Sequence, residues 1–76
     1  MSILLKMIRL RAGFYVTRDG QWRIVRRKST ESSWLFWHVE RWSPGELRWE
    51  RVQTMLSLKD CREWLEREIA LNTWDA

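Results

Sequence analysis

The sequence predicts an α+β domain in which a twisted, four-stranded antiparallel sheet in meander order carries one C-terminal helix across one face. An aromatic run, a tight turn signal and an amphipathic helical pattern support this prediction. A chain of 76 residues forms one small domain, which buries only about 60% of the surface exposed by the unfolded chain. We divide it into a segment without assigned structure, the sheet, the helix and a tail, at residues 1–12, 13–53, 57–71 and 72–76.

The first hairpin is predicted from Asp19 and Gly20, which separate two segments rich in apolar and aromatic residues. A two-residue type I′ loop would place Val16 opposite Arg23 and so set the register of the whole hairpin. The sequence leaves open which face of this hairpin is buried, because both are largely apolar. One face carries Tyr15, Trp22 and Ile24, and the other carries Phe14, Val16 and Val25.

The central strand is the aromatic run at residues 33–42, which polar loop residues precede and a Ser-Pro-Gly turn follows. Side chains alternate across a strand, so this run has two distinct faces. The apolar face, which we expect the helix to cover, carries Leu35, Trp37 and Val39. The other face mixes large aromatics with ionisable groups, namely Trp34, Phe36, His38, Glu40 and Trp42.

A second hairpin returns through residues 43–45 to a fourth strand at residues 46–53. A three-residue loop gives chemically sensible cross-strand pairs: Glu40 with Arg48, Val39 with Trp49, and His38 with Glu50. This register adds Leu47 and Trp49 to the apolar face under the helix.

The helix is predicted over residues 58–71. Ser57 and Asp60 have the spacing of a capping box, in which the hydroxyl accepts a hydrogen bond from the backbone N–H three residues on. One stripe of the helix is apolar and faces the sheet; it consists of Leu58, Cys61, Leu65 and Ile69, broadened by Trp64.

Charge is distributed unevenly along the chain. Residues 1–30 carry eight Lys or Arg against one Asp, a balance of +7, whereas residues 31–76 have a balance of −3. This asymmetry fits a basic patch that meets an anionic partner, two copies that meet head to tail, or an ordinary solvated surface. Lys6 and Arg9 interrupt an apolar opening too short to span a membrane, so we expect no membrane association.

Two resemblances bear on function. The segments RLRAGFY at 9–15 and DGQW at 19–22, with the closing helix motif, are similar to small actinobacteriophage proteins of unassigned function. The helix motif itself, formed by Met55, Ser57, Cys61, Trp64 and Leu65, resembles the end of the arm-type DNA-binding domain of phage tyrosine integrases. The first resemblance implies a phage accessory protein in the host bacterial cytoplasm. The second implies a sheet that enters the DNA major groove.

No catalytic, metal or cofactor site is predicted. His38 is the only histidine, and no nucleophile motif accompanies it. Cys61 lies on the buried helix stripe, where a packed thiol is the expected state. Having one cysteine, the chain forms no internal disulfide, which favours a reducing compartment such as the cytoplasm. We therefore expect a protein that is not an enzyme.

The leading functional hypothesis is binding to a host or phage protein, or self-association into a homo-oligomer. It rests on three aromatics that one helix cannot cover, since the helix occupies the opposite face: Trp34, Phe36 and Trp42. A competing hypothesis is intramolecular, with residues 3–10 folding over this face to close a second small core.

The alternative function is binding of duplex DNA through the basic first hairpin. Clustered guanidinium groups contact phosphates, and an exposed tryptophan can stack on a base. The candidate residues are Arg18, Trp22, Arg23, Arg26, Arg27 and Lys28.

Overall fold

The computed structural model describes residues 6–31 and 34–74 of the chain, and it confirms an α+β fold with an antiparallel sheet and one C-terminal helix. The elements are β1 (Met7–Arg11), β2 (Phe14–Thr17), β3 (Trp22–Lys28), β4 (Leu35–Ser43), β5 (Arg48–Met55) and α1 (Leu58–Trp74). The strands follow one another across the sheet in chain order, which makes a meander.

The predicted number of strands is wrong, because the described sheet has five strands and not four. The additional strand is β1, which pairs antiparallel with β2 at the edge of the sheet. Its residues after Met7 are all exposed, and its register shifts between Arg9 and Arg11. An exposed edge strand with an irregular register lacks the buried-face alternation from which strands are predicted.

The turn between β1 and β2 depends on Gly13, which has a φ of 77°. Its carbonyl accepts a hydrogen bond of 2.8 Å from the backbone N–H of Arg26 in β3. A Cβ at this position would lie 3.1 Å from the Arg26 side chain. The hairpin can therefore approach β3 this closely only with glycine at the turn.

The β2–β3 hairpin has the predicted pairs, with Val16 opposite Arg23, but its turn type is different. The Gly20 N–H donates to the Thr17 carbonyl at 3.0 Å, and within the turn only Gly20 has a positive φ, of 73°. A type I′ turn needs a positive φ at Asp19 as well. The loop is thus longer by one residue at each end, which leaves the register unchanged.

Side-chain hydrogen bonds close this longer loop. The Thr17 hydroxyl donates to Asp19 Oδ1 at 2.6 Å and accepts from the Trp22 N–H at 3.2 Å. The Gln21 N–H also donates to Asp19 Oδ1, at 2.9 Å. The bonds from Thr17 and Gln21 lower the pKa of the Asp19 carboxyl, because they stabilise its charged form.

The predicted register of the β4–β5 hairpin is wrong. Residues 44–47 form a four-residue turn in which Leu47 has a φ of 53° and is 76% exposed. Trp42 therefore lies opposite Trp49, and neither Leu47 nor Trp49 belongs to the face that α1 covers. A Ser-Pro-Gly sequence does not predict a left-handed leucine two residues later, since non-glycine residues seldom adopt this conformation.

A bulge next to Val39 shifts the rest of this pairing by one residue. The observed pairs are Glu40 with Arg51, His38 with Thr54 and Val39 with Gln53, in place of the predicted partners Arg48, Glu50 and Trp49.

The core lies between α1 and the face of β4 that bears Trp37 and Val39, as predicted. The buried residues are Trp22, Ile24, Val39, Cys61 and Leu65. The sequence did not predict which face of the first hairpin is buried. The structure shows that Trp22 and Ile24 point toward the helix. The ring of Trp22 meets that of Trp64 edge to face, with the ring centres 6.2 Å apart. Leu35, at the start of β4, remains about half exposed.

The predicted N-terminal cap of the helix is confirmed, since Ser57 Oγ accepts a hydrogen bond of 3.1 Å from the Asp60 N–H. The helix continues to Trp74, three residues beyond the predicted end, so the predicted tail at residues 72–76 is in part helical.

Candidate binding face of the sheet

The sheet face opposite α1, here called the open face, combines aromatic and basic side chains. Cross-strand pairing aligns them in rows, one of which runs Ile8, Val16, Arg23, Glu40 and Arg51 from β1 to β5. The aromatics of this face are Phe14, Phe36, Trp42 and Trp49, and all are half-buried. Its arginines are Arg11, Arg23, Arg27 and Arg51.

Arg23 occupies the middle of the open face and is held on three sides. Its guanidinium lies 4.4 Å from the ring centre of Trp49 and 5.5 Å from that of Phe14. Its Nε donates to Glu40 Oε1 at 2.5 Å, and both side chains are largely buried. A planar guanidinium can stack on rings and pair with a carboxylate at once, so Arg23 closes the centre of this face.

A second aromatic contact lies beside this cluster. The rings of Trp42 and Trp49 meet edge to face with their centres 5.5 Å apart. Beneath the open face, Val25 is only 4% exposed. This face thus has a small apolar layer of its own, although no helix covers it.

Three exposed arginines surround this layer: Arg11 on β1, Arg27 on β3 and Arg51 on β5. Arg11 also stacks over Phe14 at 5.4 Å. Among the described residues of the open face the only carboxylate is Glu40, which is neutralised by Arg23. The accessible part of the face is therefore positively charged.

His38 lies on the open face, opposite Val25 on one side and Thr54 on the other. Burial lowers its pKa because it disfavours the charged imidazolium, and repulsion from Arg51 and Arg27 lowers the pKa further against the opposing effect of Glu40. The imidazole is therefore neutral at physiological pH and adds no charge to this face.

The three predicted protein-binding residues differ in exposure. Phe36 and Trp42 lie on the open face within β4. Trp34 precedes the strand and is 64% exposed. Of the three predicted residues, Phe36 and Trp42 thus lie within β4 on the open face, and the observed register adds Trp49 to this face.

The predicted nucleic-acid residues do not form one cluster. Arg23 and Arg27 lie on the open face, whereas Arg26 stacks over Trp37 on the helix side at 5.8 Å. Lys28 follows Arg26 in alternation on the helix side, and Arg18 lies in the turn at the far end of β3. Trp22 is only 7% exposed in the core, so it is not available to stack on a base.

The prediction that residues 3–10 fold over the open face is wrong for the part of this segment that the structure describes. Met7–Arg11 extends the sheet as β1, with Met7 packed against the core. Residues 3–5 lie outside the described residues. The open face is closed instead by its own arginine and aromatic side chains.

Sequence reasoning missed Arg11, Phe14, Trp49 and Arg51 as members of the candidate site. The signal that reveals them is cross-strand register, since each is placed by its partner and not by its neighbours in sequence. For Arg11, Trp49 and Arg51 this signal is not accessible from the sequence, because β1 is unassigned and β5 is predicted out of register. Phe14 is predicted in register, but the sequence leaves open which face of its hairpin is buried.

Outside the open face, the described residues show little other chemistry. No group of three or more His, Cys, Asp or Glu side chains in residues 6–31 and 34–74 is placed to hold a metal ion. The Cys61 thiol is buried and donates to the Trp37 carbonyl at 3.7 Å. Over the same residues, no helix has the length and apolar character needed to cross a membrane.

Comparisons with known proteins return no relative: no protein-family model, no curated protein sequence and no solved structure matches this chain. Function is therefore inferred from the geometry of the open face.

Proposed function

We propose that this protein is a non-enzymatic binding module whose open face docks on an acidic surface of another protein. The observation that carries the proposal is the set of exposed arginines around half-buried aromatics. Tryptophan and arginine are the residues that most often supply binding energy at protein interfaces, and a central aromatic patch with a polar rim is the usual arrangement.

Charge specifies the partner. Arg11, Arg27 and Arg51 are exposed on the open face, whereas its only described carboxylate is paired internally. The helix on the other side carries four acidic and three basic residues and has no such bias. An acidic protein surface would thus be attracted to the open face in preference to the helix.

The preformed centre of the face also supports a binding role. Arg23 is fixed by two rings and a carboxylate, and Trp42 is fixed against Trp49. Side chains that are already ordered lose little conformational entropy when a partner binds. In keeping with the resemblance to small actinobacteriophage proteins, we place the partner among host or phage proteins of the bacterial cytoplasm.

We infer that the protein is not an enzyme. Its only histidine lies opposite a valine and a threonine in the sheet, and its only cysteine is buried with a pKa raised to about 11. Neither group forms the nucleophile and base pair that covalent catalysis requires.

The test uses Arg27→Glu with Arg51→Glu, which reverses two exposed charges without touching the core. Arg67→Glu, on the exposed side of the helix, is the matched control. The immobilised wild-type protein should retain an acidic bacterial protein, and the purified partner should bind the Arg27→Glu, Arg51→Glu variant at least tenfold more weakly, or about 1.4 kcal/mol. The Arg67→Glu variant should bind it normally.

Equal binding by the wild type and the Arg27→Glu, Arg51→Glu variant would refute the open face as the interface. Sedimentation of the purified protein tests whether a second copy of the chain binds the open face. A wild-type dimer that becomes a monomer in the Arg27→Glu, Arg51→Glu variant would show that it does. That result would replace the proposed partner by self-association.

Duplex DNA is the second candidate, favoured by the three exposed arginines on one face. The width of the sheet weighs against it, because the outer strands are about 19 Å apart at about 4.8 Å per strand. The major groove is about 12 Å wide and accommodates a helix or a two-stranded ribbon. Only part of this sheet could therefore enter the groove.

DNA binding would have a measurable salt dependence. If Arg11, Arg27 and Arg51 each neutralise one phosphate, the logarithm of the binding constant should fall against the logarithm of salt with a slope of about −2.7. Mobility-shift assays with duplex DNA across a salt series measure this slope. An absence of retardation at low salt would eliminate the DNA hypothesis, since electrostatic binding is strongest there.

A further inference from the structure

The outer side of β1 is an edge of the sheet, since β1 pairs with β2 and is the first strand in the order. About half of the backbone N–H and C=O groups of an edge strand point outward and are able to pair with another strand. The backbone of this edge is distinct from the open face, although the side chains of Ile8 and Arg11 belong to both.

The side chains of β1 alternate apolar and basic: Ile8, Arg9, Leu10 and Arg11 are all exposed. Arginine and lysine on an edge are a common protection against unwanted strand pairing. That role does not explain why Ile8 is 48% and Leu10 60% exposed beside them. Exposed apolar residues on an edge strand have a use if a partner strand covers them.

A second copy of the chain is a poor occupant for this edge. An antiparallel pair of β1 strands centred on Arg9 would place this arginine opposite its own copy, and like charges directly opposite each other are destabilising. Pairing of β1 with β5 of another copy would meet Arg48 and Arg51 against a single Glu50. Both modes of self-pairing therefore bring positive charges together.

An acidic segment has the complementary charge. From residue 6 to residue 18 the chain contains Lys6, Arg9, Arg11 and Arg18 and no acidic residue. Five residues of β1 offer about 17 Å of edge at about 3.4 Å per residue, enough for a short extended segment.

We propose that β1 receives an extended acidic and apolar segment of another protein as a sixth strand. Its backbone pairs with Met7–Arg11, carboxylates on its two faces lie beside Arg9 on the helix side and Arg11 on the open face, and apolar side chains lie beside Ile8 and Leu10. Main-chain hydrogen bonds supply affinity and the side chains supply selectivity, as in other cases of strand addition. This site shares Ile8 and Arg11 with the open face, but its backbone donors and acceptors belong to the sheet edge alone.

The probe is a synthetic, fluorescein-labelled peptide of seven residues composed of Val and Glu, with Glu on both faces of the extended chain. Anisotropy measures its binding to the full-length protein. We expect binding that Arg9→Glu with Arg11→Glu weakens at least tenfold, and that Arg27→Glu on the open face leaves unchanged. A peptide with Lys in place of each Glu should not bind. Amide exchange of Met7–Arg11 should slow when the acidic peptide is present.

The decisive control is the same acidic peptide methylated at every internal backbone nitrogen, which keeps the side chains and removes the strand-pairing donors. Loss of binding by the methylated peptide would support strand addition. This comparison needs no variant of the protein. Equal binding of the methylated peptide would reduce the contact to charge attraction and overturn the proposal. So would protection mapped to β5 or the open face, or no binding at millimolar peptide.

Discussion

At the scale of single residues, arginine serves packing as much as charge. Five contacts between a guanidinium and an aromatic ring occur in the described residues, two of them made by Arg23. Such contacts contribute about 0.5–1 kcal/mol at exposed sites and more where water is excluded. Arg23 is thereby held within the sheet, whereas Arg11, Arg27 and Arg51 remain exposed on the open face.

Cys61 provides a pH-dependent prediction. Burial raises the pKa of its thiol to about 11, and the nearby Asp60 carboxylate acts in the same direction. The unfolded thiol ionises nearer its ordinary value of 9.0, so the unfolded state loses its proton first as pH rises. The free energy of unfolding should therefore fall between about pH 9 and 11 more steeply in the wild type than in Cys61→Ala.

Urea unfolding at several pH values compares the two proteins, and subtraction removes the titration of groups common to both. The native thiol should also resist a thiol reagent at pH 8 and react once the protein is unfolded. Identical pH dependence in the two proteins, or full labelling of the native state, would contradict this account of Cys61.

At the scale of elements, the turns determine the register, and two of the turns place glycine at a positive φ. Gly13 and Gly20 have nearly equal φ values of 77° and 73°, but their surroundings differ. A Cβ at Gly13 would meet Arg26 at 3.1 Å, whereas a Cβ at Gly20 would have nothing within 4 Å. Alanine substitutions at Gly13 and Gly20 therefore distinguish the cost of a strained φ from the cost of a steric contact.

Gly20→Ala should lower stability by about 1–2 kcal/mol, because alanine is strained in the left-handed conformation. Gly13→Ala should cost more, because the hairpin must also move away from β3. Gly45→Ala is the control, since Gly45 has neither a positive φ nor a close neighbour, and it should change stability by less than about 0.5 kcal/mol. Thermal unfolding ranks the three variants; equal losses for Gly13→Ala and Gly20→Ala would show that the contact with Arg26 is relaxed at no cost.

At the scale of the whole molecule, the sheet has two unequal apolar layers. The larger lies under α1, and the smaller is closed on the open face by Arg23, Phe14 and Trp49. The open face thus contributes to stability while its rim remains accessible. A substitution in its centre therefore tests the fold, whereas a substitution at its rim tests binding.

Trp42→Ala should lower the melting temperature, because it removes the contact with the Trp49 ring at 5.5 Å. An aromatic pair contributes about 0.5–1.5 kcal/mol, and each kcal/mol corresponds to roughly 4–8 °C in a domain of this size. Trp34→Ala is the matched control and should cause a smaller shift, since Trp34 is more exposed. Calorimetry measures both, and an equal or larger shift for Trp34→Ala would contradict the observed arrangement of the open face.

Sequence patterns alone predict the α+β class, the register of the first hairpin, the two faces of β4 and the capped helix. Each of these depends on local signals: Asp19 and Gly20 at a turn, alternation along one strand, and Ser57 before an apolar stripe. Local signals suffice because the hydrogen bonds and side-chain periodicity involved join residues close together in the chain.

Three features are evident from the folded chain and not from its sequence: β1 joins the sheet, Trp49 lies opposite Trp42, and Arg23 is held between β2 and β5. These features depend on the left-handed φ of Leu47, on the bulge beside Val39 and on contacts between distant strands. The conformational cost of such a turn is repaid by packing elsewhere in the sheet. The composition of the open face was therefore decided by the pairing of strands and not by any one segment.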